Sequence, residues 1–187
     1  MMDIISAFGL SASAGLNAYI PLLVVSLLAK FTNLIELSNG WRALESWWII
    51  GLLIGLSLIE FFADKIPAVN HINDALQTFV RPTAGAILFA ANANVLTEIH
   101  PVLSIAAGLL VAGSVHAVKS VVVRPAVTAT TGGVGDVPVS VMEDVVATML
   151  SVFSIVIPIV VGIIMLTLGA WLIWWLTMRT RKNQAQS

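Results

Sequence analysis

The sequence has no cysteine, a single tyrosine and few charged side chains. The lack of cysteine excludes disulfides, thiolate nucleophiles and every metal site built on thiolate ligands. Charged residues make up 10% of the 187 residues, whereas soluble domains carry about 25%. Nine Lys and Arg against ten Asp and Glu give a net charge of −1, which supplies no basic field for a nucleic acid. The composition therefore excludes a soluble globular domain and a nucleic-acid partner.

Long apolar stretches take the place of the missing charges, and hydrophobic residues make up 58% of the chain. About 20 apolar residues cross a bilayer core of about 30 Å as a helix. These stretches lack the alternation of apolar and polar residues that transmembrane β-strands show. The sequence therefore predicts an all-α integral membrane protein surrounded by a lipid bilayer.

We predict five to six transmembrane or re-entrant helices within a single membrane domain, residues 1–178. The two strongest candidate spans are residues 47–63 and 159–178, and the weaker ones are residues 4–29, 82–97, 101–123 and 139–157. The short tail, residues 179–187, contains three of the nine basic residues. Since basic residues remain on the cytoplasmic side of a membrane, we predict a cytoplasmic C-terminus.

Proline interrupts several of the apolar stretches, and twice it directly follows an arginine, in Arg81-Pro82 and Arg124-Pro125. Asn17 lies in a small, polar interruption of the first stretch. Proline lacks a backbone donor and disfavours helical dihedrals at the residue before it. Because the freed carbonyls cannot face hydrocarbon, we expect Pro-broken helices whose breaks face protein or water.

Two short segments of the chain resemble each other. Val80–Ala86 and Val123–Ala129 share the valine, the arginine, the proline and the final alanine, and each follows a segment with a histidine, His71 or His116. Along the chain, a proline-led helix, two Arg-Pro helices and a second proline-led helix follow one another. This mirror order favours an internal inverted repeat, which in transporters surrounds a site near the bilayer midplane.

The two arginines beside proline would be costly inside a membrane. An arginine at the bilayer centre costs at least roughly 2.5–3.5 kcal/mol, so each needs an acidic partner or an anionic ligand. The candidate partners are Glu60, Asp64, Asp74, Asp136, Glu143 and Asp144. Two interpretations remain open: interfacial or ion-paired arginines that hold helices together, or a polar cavity for a small anion or for protons.

His71, Asp74 and Arg81 follow one another at helical spacing and therefore share one face of a helix. We predict that His71, Asp74 and His116 form a proton relay, because histidine titrates near neutral pH. Structural hydrogen bonding is the alternative role for both histidines. The three histidines show no metal-binding spacing, so we predict no metal and no cofactor.

The last distinctive feature is a set of four motifs: Gly15–Pro21, Ala63–Pro67, Arg81–Gly85 and Thr131–Pro138. With them, the chain resembles a family of small bacterial membrane proteins classified only as a domain of unknown function. The resemblance covers most of the chain up to the last span. It implies a multi-pass helical protein of the bacterial inner (cytoplasmic) membrane, and it implies no activity.

From the chemistry of these residues we expect a small transporter or channel-like protein that works as a homo-oligomer. Its polar pocket would bind a small, anionic solute, and Asp and His side chains would carry coupling protons. The predicted pocket residues are Asn17, Asp64, Arg81, Arg124 and Asp136. The alternative is a membrane scaffold or accessory subunit whose charges form buried ion pairs. No catalytic motif is present, so we do not expect an enzyme.

Overall fold

In a computed structural model of the chain, the described residues are 2–63, 67–92, 99–158, 163–171, 173, 174 and 178. These residues form seven named α-helices: α1 (Met2–Leu16), α2 (Tyr19–Phe31), α3 (Trp47–Ala63), α4 (Pro67–Ala91), α5 (Pro101–Val118), α6 (Arg124–Thr131) and α7 (Asp136–Val156). A 3-10 helix, Asn39–Glu45, precedes α3. Within the described ranges, the pairing of extended backbone is limited to one isolated bridge between Leu37 and Asn92. The predicted all-α class is confirmed.

The number of helices that could cross a membrane is smaller than the predicted number. By length and composition, two described helices qualify, Pro101–Thr131 and Asp136–Val156. A third is added if Asn39–Glu45 and Trp47–Ala63, which are bent by 64° at their junction, form one span. The prediction of five to six is therefore not confirmed. α1 and α2 are short, the first half of α4 is rich in polar residues, and parts of the predicted spans 82–97 and 159–178 lie outside the described residues.

The breaks predicted at the two Arg-Pro pairs are wrong. Pro82 lies inside α4, which continues without interruption from Pro67 to Ala91. Pro125 lies in the first turn of α6, directly after a π-helical turn, Lys119–Val123. A proline leaves one carbonyl of the preceding turn without its helical donor, and a wider turn is one way in which a helix adjusts to such a defect. At both prolines the chain therefore stays helical.

Breaks in the described helices lie at other positions. The helix is interrupted at Asn17, between α1 and α2, as the sequence predicts. Residues 132–135 separate α6 from α7, and there Gly132 and Gly133 have φ values of +64° and +89°. Side chains other than hydrogen rarely tolerate such angles, so the two glycines make this turn feasible. α7 ends at Val156, just before Pro158, where the residue before proline avoids the helical region.

Helix α1 lies at the centre of the bundle and packs against α4, α5 and α7. Its buried residues are mostly small: Ser6, Ala7, Ser11, Ala12, Ser13 and Ala14. The hydroxyl of Ser11 donates to the carbonyl of Gly85 at 2.9 Å, and that of Ser13 donates to the carbonyl of Ala147 at 2.7 Å. Small residues and hydroxyls at the contact face are typical of helix packing in membranes. α1 therefore joins the other helices through short polar contacts.

The exterior of the described bundle is apolar. Large exposed hydrophobic side chains cover α3, α5 and α7, among them Leu52, Ile59, Phe62, Leu110, Met142 and Val146. Polar and charged side chains are instead buried, including Asn17, Glu60, Gln77, Arg81 and Lys119. An apolar exterior around a polar interior is the arrangement expected of a protein that lies in lipid.

Helices α4 and α5 come closest where two glycines face each other. A Cβ atom on Gly85 would lie 2.8 Å from the carbonyl oxygen of Gly108, and a Cβ on Gly108 would overlap the backbone of Gly85. A Cβ on Gly15 would likewise lie 2.6 Å from the carbonyl oxygen of Ala112. The backbones therefore approach to a distance that no larger residue permits, and this brings the charged faces of α4 and α5 together.

We predict opposite effects for the same substitution at two glycines. Gly108→Ala should destabilise the fold by about 1–3 kcal/mol, because the added methyl overlaps backbone that cannot move aside. Gly51 lies on the outer side of α3 with no atom within 4 Å of an added Cβ, so Gly51→Ala should stabilise its helix by about 0.5–1 kcal/mol. Thermal unfolding of both variants in the same detergent measures the difference. Equal shifts in Tm would contradict the close contact.

Candidate functional site

The break between α1 and α2 is held by the side chain of Asn17, which is 1% exposed. Its Oδ1 accepts hydrogen bonds from the backbone N–H groups of Tyr19 and Ile20 at 3.1 and 3.0 Å. These N–H groups belong to the first turn of α2 and have no helical partner. The Nδ2 of Asn17 donates to Oδ1 of Asp144 on α7 at 2.9 Å. One amide therefore begins α2 and ties it to an acidic residue of another helix.

The carboxyl end of α1 meets the ammonium group of Lys119. Nζ of Lys119 donates to the carbonyl oxygen of Leu16, the last residue of α1, at 3.0 Å. The last carbonyls of a helix lack donors and carry the negative end of its dipole, so a cation is favourable there. The same Nζ lies 2.8 Å from Oε2 of Glu143 on α7. Lys119 thus connects the end of α1 to α7.

The carboxylate of Glu143 is shared between two cations. Its Oε2 also lies 3.4 Å from Nη2 of Arg124, at the start of α6. The side chains of Lys119, Arg124 and Glu143 are 3%, 11% and 10% exposed, so most of the solvation of all three charges is lost. The mutual attraction of the three charged groups must therefore compensate for their lost hydration.

A second group of contacts surrounds Arg81, which is 0% exposed. Its Nη2 lies 3.0 Å from Oε1 of Glu60 on α3, and its Nη1 lies 3.2 Å from Nδ1 of His116 on α5. The other ring nitrogen of His116, Nε2, lies 3.2 Å from Oγ1 of Thr78 on α4. Three helices thus contribute one charged or titratable group each to one buried point.

The two groups of contacts belong to one continuous zone. His116 and Lys119 are one helical turn apart, and both side chains are buried. We call this zone the polar seam, and its members are Asn17, Glu60, Arg81, His116, Lys119, Arg124, Glu143 and Asp144. The seam contains three basic and three acidic side chains, so its net charge is close to zero when all six are ionised.

The seam contains half of the eight residues that the sequence predicts for the site. Asn17, Arg81, Arg124 and His116 are members. Asp136 is not, because it lies at the start of α7, where its Oδ1 accepts a hydrogen bond from Oγ1 of Thr128 at 2.9 Å.

The other three predicted site residues cannot be assigned contacts. Asp64 lies outside the described residues. His71 and Asp74 lie on α4, but their side chains are outside the described part of the structure. The pairing of these three residues with the seam stays a prediction.

Four seam residues are absent from the predicted site: Glu60, Lys119, Glu143 and Asp144. Three of them are the acids considered as partners for the arginines, and each interrupts an otherwise apolar helix. Lys119 has a comparable signal, since it follows His116 by one helical turn on the same face. Spacing alone cannot reveal its contact with Leu16, because that contact depends on how α1 and α5 are packed.

The seam combines hydrogen-bond donors that are cations with acceptors that are carboxylates. Arginine and lysine only donate hydrogen bonds, and ionised carboxylates only accept them. Each cation in the seam therefore presents donors that an anion from outside could also satisfy. Among the described residues, no group of three or more His, Asp or Glu is arranged to hold a metal ion.

We predict that Glu143→Gln destabilises the protein strongly. The amide would remove the counter-charge that Glu143 supplies to Lys119 and Arg124, and breaking a buried ion pair costs about 3–5 kcal/mol. The matched control is Asp136→Asn, which removes a partly exposed carboxylate from the start of the same helix and should cost less than about 1 kcal/mol. Urea or thermal unfolding in detergent measures both. The account fails if the two amide substitutions have equal effects.

Comparison with known proteins identifies the family. Neither the curated proteins nor the solved structures give a match to this chain. The family model described as Domain of unknown function (DUF4126) matches residues 4–179, which include the whole seam. The family resemblance drawn from the four sequence motifs is thereby confirmed. The chain belongs to this family, Domain of unknown function (DUF4126).

Proposed function

We propose that this protein is a small membrane transporter or channel-like protein that carries small anions, with protons as the coupling ion. The observation that carries the proposal is the fully buried guanidinium of Arg81, in contact with Glu60 and His116. The polar seam would be the path of the solute. It provides donors for an anion at Arg81, Lys119 and Arg124, and it provides titratable groups beside them.

The energetic cost of the seam supports a functional role. Removing ions from water costs several kcal/mol for each ion, and well-packed apolar residues often hold a structure as firmly as a buried ion pair does. Ionisable residues inside a membrane are rare and commonly mark ion pathways and proton relays. The seam retains six charged side chains in a chain where only 10% of the residues are charged.

The interrupted helix of α1 and α2 also supports transport. In many transporters, half-helices end near the bilayer midplane, where their free carbonyls and N–H groups bind ions and substrate. Here Lys119 binds the carbonyl of Leu16 and Asn17 binds the first N–H groups of α2. A solute anion is an acceptor like Oδ1 of Asn17, so it can compete for the same N–H groups of α2 and for the ammonium of Lys119.

The internal ion pairs would be the closed state of the path. Glu60 occupies Arg81, and Glu143 occupies both Lys119 and Arg124. A solute anion competes with these carboxylates for the same donors, and protonation of a carboxylate removes the competitor. Anion and proton movement are thus linked by the pairing itself.

The depth of Glu60 fits this role. Trp47 and Trp48, at the start of α3, are exposed and suit a membrane interface. Glu60 follows Trp47 on the same helix at a distance of about 20 Å, which is inside a hydrocarbon core of about 30 Å. We propose five to six membrane-embedded segments, with α1, α2 and α4 among them.

We place the protein in the bacterial inner membrane as a homo-oligomer with a cytoplasmic C-terminal tail. The apolar exterior of the bundle supports a lipid environment. The basic residues after the last span support the orientation.

One observation favours a different function, a membrane scaffold or accessory subunit. The contact between Arg81 and Glu60 is dry, since the two side chains are 0% and 1% exposed. A dry ion pair that joins α3 to α4 would serve a purely structural purpose equally well. The two functions differ in what happens when the pair is replaced as a whole.

The test is solute flux in proteoliposomes made with a double variant, Glu60→Met with Arg81→Met. Replacing both members of a buried pair by apolar residues is often neutral for folding. Transport requires the arginine, so flux should fall by about tenfold or more, because losing a hydrogen bond to a charged group costs about 1.5–3 kcal/mol. Chloride, nitrate, inorganic phosphate and oxalate are the probe anions.

The matched control for this experiment is Glu36→Met with Arg42→Met. Both residues are exposed in the segment before α3, so the same chemical change there should leave flux intact. A folded seam variant with unchanged flux would favour the scaffold. Wild-type protein that moves none of the four anions would contradict the transport proposal.

A further inference from the structure

The contacts of His116 determine which of its nitrogens carries a proton. Arginine has no acceptor, so Nη1 of Arg81 must donate to Nδ1 of His116, 3.2 Å away. Nδ1 is therefore unprotonated and the ring is neutral. Its proton lies on Nε2, which donates to Oγ1 of Thr78 at 3.2 Å. His116 is held as the Nε2–H tautomer by a cation that itself can only donate.

Protonation of His116 would change this contact completely. A proton added from solvent to Nδ1 removes the acceptor that Arg81 uses. Two donors, each on a positive group, would then face each other at the distance of the former hydrogen bond. This state is unfavourable unless an acceptor with negative charge comes between them.

We propose that one proton on His116 and one small oxyanion bind together, with the anion between Nδ1–H of His116 and Nη1–H of Arg81. This inference rests on the proposed transport function and adds His116 to the carboxylates as a group that couples protons to the anion. In the neutral state Arg81 is already used by His116, so the anion meets one donor fewer. In the protonated state the same two residues provide two converging, charged donors. One proton thereby creates the anion site.

The charged and titratable groups around His116 fit this scheme. On the α3 side, Glu60 holds the other terminal nitrogen of Arg81, Nη2, and so keeps the guanidinium in position. On its own helix, Lys119 is neutralised by Glu143. On α2, the phenol of Tyr19 lies near Glu60 and Arg81. Ser11 and Ser13 of α1 and Asn17 of the break that follows it carry no charge, so they neither replace the anion nor repel it.

The chemistry of the two donors limits the ligand. A planar anion with two oxygens about 2.2 Å apart, such as a carboxylate or nitrate, can accept from an imidazolium and a guanidinium at once. A spherical halide offers a single point and gains less from the second donor. The inference therefore favours small oxyanions over chloride.

The first measurement is the protonation of His116 by 15N NMR of histidine-labelled protein in lipid nanodiscs. His100 serves as an internal reference, because its Nδ1 also accepts a hydrogen bond, from the N–H of Val102 at 3.3 Å, and it is exposed and outside the seam. At pH values where His116 is neutral, Nδ1 should give the signal of an unprotonated nitrogen. Adding nitrate or oxalate should protonate Nδ1 of His116 and leave His100 unchanged. A protonated Nδ1 in the absence of an anion would overturn the inference.

The second measurement is proton uptake in weakly buffered solution when nitrate or oxalate is added. About one proton should be taken up for each anion bound, and by linkage the Kd should rise about tenfold for each pH unit above the midpoint of His116 protonation. His116→Gln should abolish the uptake and the pH dependence, since an amide accepts from Arg81 but does not titrate. His100→Gln should change neither.

The outcomes separate this inference from the proposed function. Anion flux with no proton uptake, or uptake that persists in His116→Gln, would overturn the role of His116 and leave transport standing. Uptake of one proton with nitrate binding, but no flux of any probe anion, would support the site and contradict transport. Binding of chloride as strongly as nitrate with the same uptake would overturn the oxyanion geometry.

Discussion

The buried ion pair between Arg81 and Glu60 is the interaction on which the rest of the structure depends. A guanidinium with no exposed surface must have its charge balanced inside the protein, and here α3 supplies the carboxylate and α5 supplies the imidazole of His116. The close approach of α4 and α5 requires Gly85 and Gly108, where no side chain fits between the backbones. Close packing at the glycines thus brings the charged faces of the helices together, and the pairing of those charges makes the packing specific.

The other end of the seam follows the same physical rule with different groups. The break after Leu16 leaves carbonyls without donors, and Lys119 provides one. Its charge is in turn balanced by Glu143, which also pairs with Arg124. Each buried polar or charged group is satisfied by a neighbouring side chain that in turn needs its own partner. The series ends where the positive and negative charges balance. A network of this kind is costly to keep for stability alone, which is why we propose that it serves transport.

The sequence predicts the class of fold and much of the seam, but not its geometry. Composition predicts a helical membrane protein, and Arg81, Arg124 and His116, which the sequence singles out, lie together in the seam. The proline pattern predicts breaks that are not found: Pro82 lies inside α4, and Pro125 follows a π-helical turn in a chain that stays helical. The contact between Lys119 and Leu16 was not predictable, because it joins residues far apart in the sequence through tertiary packing. Small residues in α1 predicted an interruption, and packing made that helix the centre of the bundle.

The lack of cysteine in this chain allows the central claim, that solute reaches the seam from water, to be tested at a single position. Thr78 contacts His116 at the edge of the seam, so Thr78→Cys introduces the one thiol of the protein there. The decisive measurement is the rate at which a membrane-impermeant thiol reagent modifies this cysteine in proteoliposomes, with and without oxalate. We predict modification that oxalate slows. A thiol that stays unmodified from both sides of the membrane, while the same reagent modifies an exposed control such as Glu36→Cys, would contradict a water-accessible path.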